Sequence, residues 1–122
     1  MYKILLIGLA GLLGTLARYS ISVAVDHWWN GSFPAGTFLV NMAGCLAIGF
    51  LVHAIEEKYI VDPAVQSALI VGFLGGFTTF SSFAAQSFNF LRGGQLFLAT
   101  ANILLSNLGG LLFVWAGYAV WR

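Results

Sequence analysis

Four long apolar stretches run through this chain, and all but one of its charged residues fall between them or at their ends. A helix that crosses a bilayer needs about 20 predominantly apolar residues. By length and hydropathy the spans fall at about 3–25, 36–55, 64–90 and 95–121. Together they use nearly all of the 122 residues. The expected architecture is therefore one transmembrane domain, 1–122, in the all-α membrane class with four transmembrane helices. Charged residues make up 7% of the chain, against roughly 25% in soluble domains. So few charges cannot cover a surface facing water.

The punctuation between the stretches agrees with these bounds. Asp26, His27, Asn30, Gly31 and Pro34 mark a first loop, and Glu56, Glu57 and Lys58 end the second span. Asp62 and Pro63 read as an N-cap and a first helical position. Arg92, Gly93 and Gly94 form a tight last connection. Trp28, Trp29, Tyr59, Trp115, Tyr118 and Trp121 sit near span ends, where interfacial aromatics belong. The first stretch reads as a span and not as a signal peptide, because the rest of the chain is equally apolar. The expected location is a cell membrane, crossed several times.

Several function classes drop out early. The net charge is +1, so there is no broad basic surface for nucleic acid. The single Cys45 has no partner for an internal disulfide and reads as a small packing residue. His27 and His53 have no metal-ligand or nucleophile partners, so the chain is not read as an enzyme. Asp26, Glu56, Glu57 and Asp62 all lie at span ends. Proton-coupled antiport needs a carboxylate embedded in the membrane, which makes a small dual-topology antiporter a poor fit.

Four spans place both termini on one side. Lys3, Lys58 and Arg122 fall there, with Arg92 and a snorkelling Arg18 assigned to the other side. That bias is weak by the positive-inside rule. The chain could insert both ways and pair as an antiparallel homodimer. A monomer or a parallel dimer is the competing arrangement. The sequence has no internal repeat, so inverted symmetry would have to come from two copies.

Small residues form ridges that let helices approach closely in lipid. Gly8, Gly11 and Gly14 do so in the first span. Asn41, Cys45 and Gly49 do so in the second, with Gly44 beside them. Asn102, Ser106 and Gly110 do so in the fourth, followed by Gly117. The polar members of these ridges point either to a narrow polar passage or to interhelical hydrogen bonds. Arg18 is the only charge well inside a span, and a structural or vestibule role suits it better than direct conduction.

The third span carries the most unusual segment, Gly72 to Phe83, GFLGGFTTFSSF. Gly75 and Gly76 adjoin near its centre and Thr78 and Thr79 follow. Phe77, Phe80 and Phe83 recur every third residue. Thr79, Ser82 and Gln86 fall on one polar stripe. Two glycines weaken a helix by about 1 kcal/mol each relative to Ala. That allows a broken third helix without forcing one. A first half ending near Gly75 would turn carbonyls inward, and a second half beginning near Thr79 would offer a positive dipole end to an anion. A discontinuous helix at mid-bilayer is a recurrent ion-site device. A glycine-kinked helix, with Ser and Thr bonded to its own carbonyls, is the other reading. Phe80 and Phe83 stand among hydroxyls, and ring edges carry partial positive charge. Edges turned into a pore would attract a small anion weakly enough to release it.

These residues resemble the Fluc, or CrcB, family of fluoride channels over essentially the whole chain. GLLGTLARY with Arg18 and Tyr19, GTFLVNMAG from Gly36 to Gly44, and GFLGGFTTFSSF carry the resemblance. It implies a fluoride-specific ion channel that works as an antiparallel dual-topology homodimer with two pores, in the bacterial inner membrane. It implies a structural Na+ held by backbone carbonyls of Gly75 and Thr78. It places the fluoride pore at Phe80, Phe83, Asn41, Thr79 and Ser82, with Ser106, Gln86 and Arg18 as further pore or vestibule positions. The chain departs from some members in having Gln86 in place of Glu and Gly110 in place of Ser. Ser106 or a water could stand in for the hydroxyl missing at Gly110.

Overall fold

A computed structural model describes residues 1–122 and is helical throughout, without a strand. Helix α1 is Tyr2–Trp29 and α2 is Ala35–Glu56. The third span, Pro63–Arg92, contains α3 (residues 63–77) and α4 (Phe80–Arg92). Helix α5 is Leu96–Ala119. All four spans are long and apolar enough to cross a membrane.

Local chemistry sets the ends. Helix α1 continues past Val25 to Trp29 and stops at Asn30, which takes a left-handed φ of 54°. Asparagine tolerates that conformation better than most residues. One turn earlier Asp26 accepts the Gly36 N–H at 2.8 Å, so the end of α1 serves the start of α2. Asp62 caps α3 through the Ala64 N–H at 2.8 Å, with Pro63 in the first turn. Gly94, at φ 75°, makes the turn into α5.

Two helix pairs hold the fold. Helix α2 runs parallel to α5, and α1 runs parallel to α3, as alternate spans of an up-and-down chain must. Both seams depend on missing side chains. A Cβ on Gly49 would overlap the Val114 carbonyl, and one on Gly117 would overlap the Leu46 carbonyl. On the other seam a Cβ on Gly14 would overlap the Phe73 carbonyl, while one on Gly76 would lie 2.5 Å from the Gly11 carbonyl. Gly8 differs from its neighbours in the same ridge, because nothing lies within 4 Å of a Cβ placed there.

Only 17 of 122 residues are buried, and the buried apolar cluster is Val40, Leu74 and Phe77. The large exposed apolar residues include Leu5, Leu9, Leu12 and Leu16 on α1 and Leu104, Leu108 and Leu111 on α5. This outward apolar surface belongs in lipid, where Leu costs nothing to expose. At one end of the bundle His53 packs edge-on to Tyr118 at 4.8 Å and stacks on Trp121 at 5.5 Å. The histidine is thus a packing residue of an aromatic cluster.

The third span departs from a regular helix in two places. Ala68–Leu74 is wound as π-helix. Such segments are rare and often mark functional positions. Then Thr78 (φ −88°, ψ 156°) and Thr79 (φ −147°, ψ 109°) are extended, and helix resumes at Phe80. The helix therefore does not end near Gly75 as expected. Gly75 keeps helical angles of −62° and −36°, and a last turn runs through Phe77. The glycine pair is not what stops it, since Gly76 serves close contact with α1.

The two glycines of one ridge should respond oppositely to the same change. Gly14→Ala forces a side chain into backbone and should cost about 1–3 kcal/mol. Gly8→Ala should be neutral, or stabilise by up to about 1 kcal/mol through helix propensity. Unfolding of the two variants in detergent checks this, and equal effects would contradict the α1–α3 seam.

Candidate functional site

Where Thr78 and Thr79 leave the helix, hydrogen bonds that a continuous helix would make must be replaced. In a continuous helix Thr79 N–H would donate to the Gly75 carbonyl. Here it donates to Asn41 Oδ1 at 2.8 Å, and Asn41 Nδ2 donates back to the Thr79 carbonyl at 3.1 Å. One side-chain amide on α2 thus satisfies both backbone groups of one residue. The Gly76 carbonyl is taken by Arg18 Nε from α1 at 3.0 Å. Thr78 bonds back on the first half, with N–H and Oγ1 both donating to the Leu74 carbonyl at 2.9 Å.

The second half starts with its own cap. Thr79 Oγ1 accepts the Ser82 N–H at 3.3 Å and donates to Ser82 Oγ at 3.1 Å. That is a threonine N-cap of the ordinary kind. It diverts the Ser82 N–H from the Thr78 carbonyl, which accepts no hydrogen bond from the chain. Gly44 makes room for the segment, because a Cβ there would overlap the Thr78 methyl group.

The segment forms the floor of a groove of 410 Å³. Asn41, Gly75, Thr78, Thr79, Phe80 and Phe83 line it from α2 and the third span, and Ser106 and Asn107 line it from α5. The Phe80 and Phe83 rings are 5.6 Å apart, tilted by 53°. Phe80 is 77% exposed, an aromatic ring held out over the groove and not packed into the bundle. No ionisable group lines the groove apart from the Cys45 thiol, and no cluster of His, Cys, Asp and Glu could hold a metal. What it offers is hydroxyls, amides and aromatic rings, together with the positive end of α4.

The remaining expected positions lie around this groove. Ser82 joins it through Thr79. Gln86 lies farther along α4, where Nε2 donates to Thr37 Oγ1 of α2 at 2.9 Å and Oε1 is buried without a partner. Arg18 reaches the segment only through the Gly76 carbonyl. The ridge on α5 divides. Asn102 is buried and donates to Ser87 Oγ at 2.9 Å, an interhelical bond. Ser106, one turn on, lines the groove and lies 3.4 Å from Asn102 Oδ1.

Sequence reasoning passed over Thr37, Ser87 and Asn107. Thr37 lies four residues before Asn41, on the same face of α2, and that spacing was the available signal. Asn107 is a polar residue at the middle of an apolar span, a signal in its own right. Ser87 had none, being one serine beside a more prominent glutamine.

The family model for CrcB-like protein, Camphor Resistance (CrcB), matches residues 5–118. A protein of Nitratidesulfovibrio vulgaris, named fluoride-specific ion channel FluC, is 42% identical; the match covers 100% of this chain and 98% of that one. Proteins of the same name from Hydrogenovibrio crunogenus and Solibacter usitatus are 41% and 43% identical. Those matches cover 94% of this chain, and 87% and 94% of the relatives.

Asn41→Leu keeps the size of the side chain and removes both of its hydrogen bonds. Leaving a polar group unpaired costs about 1–3 kcal/mol each, so the variant should lose about 2–6 kcal/mol. Asn41→Asp keeps the acceptor for the Thr79 N–H but sets an oxygen against its carbonyl, and should fall between. Denaturant unfolding in micelles gives the ranking, and an unchanged Asn41→Leu variant would show that the clamp carries no stability.

Proposed function

The chain belongs to the CrcB family of fluoride-specific ion channels, and from that membership we propose that it lowers cytoplasmic fluoride by passive efflux through the groove at Thr78–Thr79. The observation that carries the reading is the groove's make-up: a tilted phenylalanine pair, hydroxyl and amide groups, and no carboxylate. The third span then works as a broken helix at mid-bilayer. Asn41, Thr79 and Ser82 line the ion path with Phe80 and Phe83, and Gln86 and Thr37 extend it along α4. Ser106 forms the α5 wall.

Fluoride is small and tightly hydrated, so a path for it must replace water with close donors. Hydroxyl and amide hydrogens do this, and ring edges add weak attraction while keeping bulk water out. Neutral groups bind loosely enough for the ion to leave, which conduction requires. With no carboxylate in the path there is nothing to couple flux to protons, and no nucleotide motif implies an energy source. Hydrogen fluoride that enters from acid surroundings ionises inside the cell. A selective leak for the anion lets it out again.

The same proposal makes the unit an antiparallel dual-topology homodimer in the bacterial inner membrane, with one path on each side. The carbonyls of Gly75 and Thr78 from two copies would hold a structural Na+ between them. The residues suit that ion: the Thr78 carbonyl is free of hydrogen bonds, and the usual helical donor to Gly75 has turned to Asn41. Four neutral oxygens match a hard cation of low charge. When bound, the ion supplies a fixed positive charge at the interface and is not itself transported. Arg18 serves to hold the end of α3 through the Gly76 carbonyl. Gln86, where some members carry Glu, keeps this part of the path neutral.

Purified protein in liposomes should release fluoride and retain chloride. Equal fluxes, or none from folded protein, would overturn the proposal. Phe80→Ile or Phe83→Ile removes an aromatic contact of about 0.5–1.5 kcal/mol. Fluoride flux should fall by up to about tenfold, while size-exclusion chromatography still shows the assembled protein.

A further inference from the structure

One exposed polar group at the middle of a span keeps most of its hydrogen-bonding capacity unused. Asn107 stands at the midpoint of α5, and its side chain is exposed. Nδ2 donates to the carbonyl of Ile103 in its own helix at 2.7 Å. That uses one of two N–H bonds and leaves the other, and the whole of Oδ1, open. The residues around it on α5, Leu104, Leu108 and Leu111, are exposed and apolar, so lipid covers that side of the helix. An open amide at this depth finds no partner in hydrocarbon, and such groups face protein or water. Asn107 is not on the lipid side alone, since it shares the rim of the groove with Ser106, Thr79 and Phe80. Ser81, next to Phe80, is also exposed at the same level of the third span.

We propose that Asn107 is the mid-bilayer contact by which a second copy of this chain is held over the groove, its free amide hydrogen-bonding to polar groups that the second copy presents at the same depth. This rests on the dimer proposed above and adds the residue that fastens it. A second copy fits better than lipid or another protein for a reason of depth. A residue at the midpoint of a span keeps its depth when the chain is inverted. An antiparallel copy therefore brings its own mid-span polar groups, Asn107, Ser106 and Ser81, to the level of the first. Both copies then satisfy each other, as an isologous interface requires.

The test follows dimer formation of the full chain in lipid vesicles as the protein is diluted, by single-molecule photobleaching. Fluoride flux per dimer is measured alongside. Asn107→Leu should raise the protein density needed for half-dimerisation by about threefold to thirtyfold, the range of interhelical polar contacts in membranes. Asn107→Gln keeps the amide and should recover most of the loss, which a simple packing role would not predict. Unaltered dimerisation in Asn107→Leu would overturn the inference. A wild-type chain that conducts fluoride while monomeric would overturn the proposed dimer itself. A wild-type dimer that does not conduct would overturn the channel reading and leave the contact standing.

Discussion

Everything distinctive in this protein depends on the side-chain amide of Asn41. A helix in hydrocarbon cannot simply stop, because each freed backbone group costs several kcal/mol with no water to take it up. Asn41 meets both needs of Thr79, accepting its N–H and donating to its carbonyl. With Thr79 held in this way, its hydroxyl can cap the next helix at Ser82. Capping in turn frees the Thr78 carbonyl and leaves Phe80 at the first position of α4. The extended pair, the exposed ring and the open carbonyl are consequences of one bidentate contact between α2 and the third span.

The glycines make that contact reachable. Asn41 can meet the third span only if α2 lies close to it, and Gly44, one turn along α2, is where the Thr78 methyl group fits. On the other side Gly14, Gly72 and Gly76 bring α1 against α3. That approach carries Arg18 to the Gly76 carbonyl. Of the glycine pair in the third span, Gly76 thus acts through packing, where the sequence alone pointed to flexibility. The extended residues are the threonines, whose β-branched side chains fit extended backbone better than helix.

How much could be read in advance follows from the range of the interactions. Four helices were legible because hydropathy and length are local properties, and the Asp62–Pro63 start was legible because a cap is made by adjacent residues. The unusual character of GFLGGFTTFSSF was legible too. Where its helix ends was not. That end depends on Asn41, 38 positions from Thr79 in the chain, and no local pattern encodes that pairing. For the same reason the ridge on α5 looked uniform in sequence. In space Asn102 is buried against Ser87 while Ser106 opens on the groove. Gly8 and Gly14 likewise share a spacing and differ in what they face.

The placement of the one interior cation bears directly on how such a groove could conduct. A free guanidinium beside an anion path would make charge-assisted bonds, roughly twice as strong as neutral ones. A small anion would stay bound. Arg18 is instead directed through Nε to a backbone carbonyl at the end of α3, a negative dipole end, where a cation is favoured. Its charge is spent in part on stabilising the helix terminus that Asn41 helps create. The groove is left to neutral groups, among them the Thr79 hydroxyl and the phenylalanine rings, and the Ser82 hydroxyl and the Gln86 amide follow beyond it. None of these binds strongly alone, and they lie in sequence along α4. An ion passing along them could exchange one weak partner for the next, which is what separates a conduction path from a binding site.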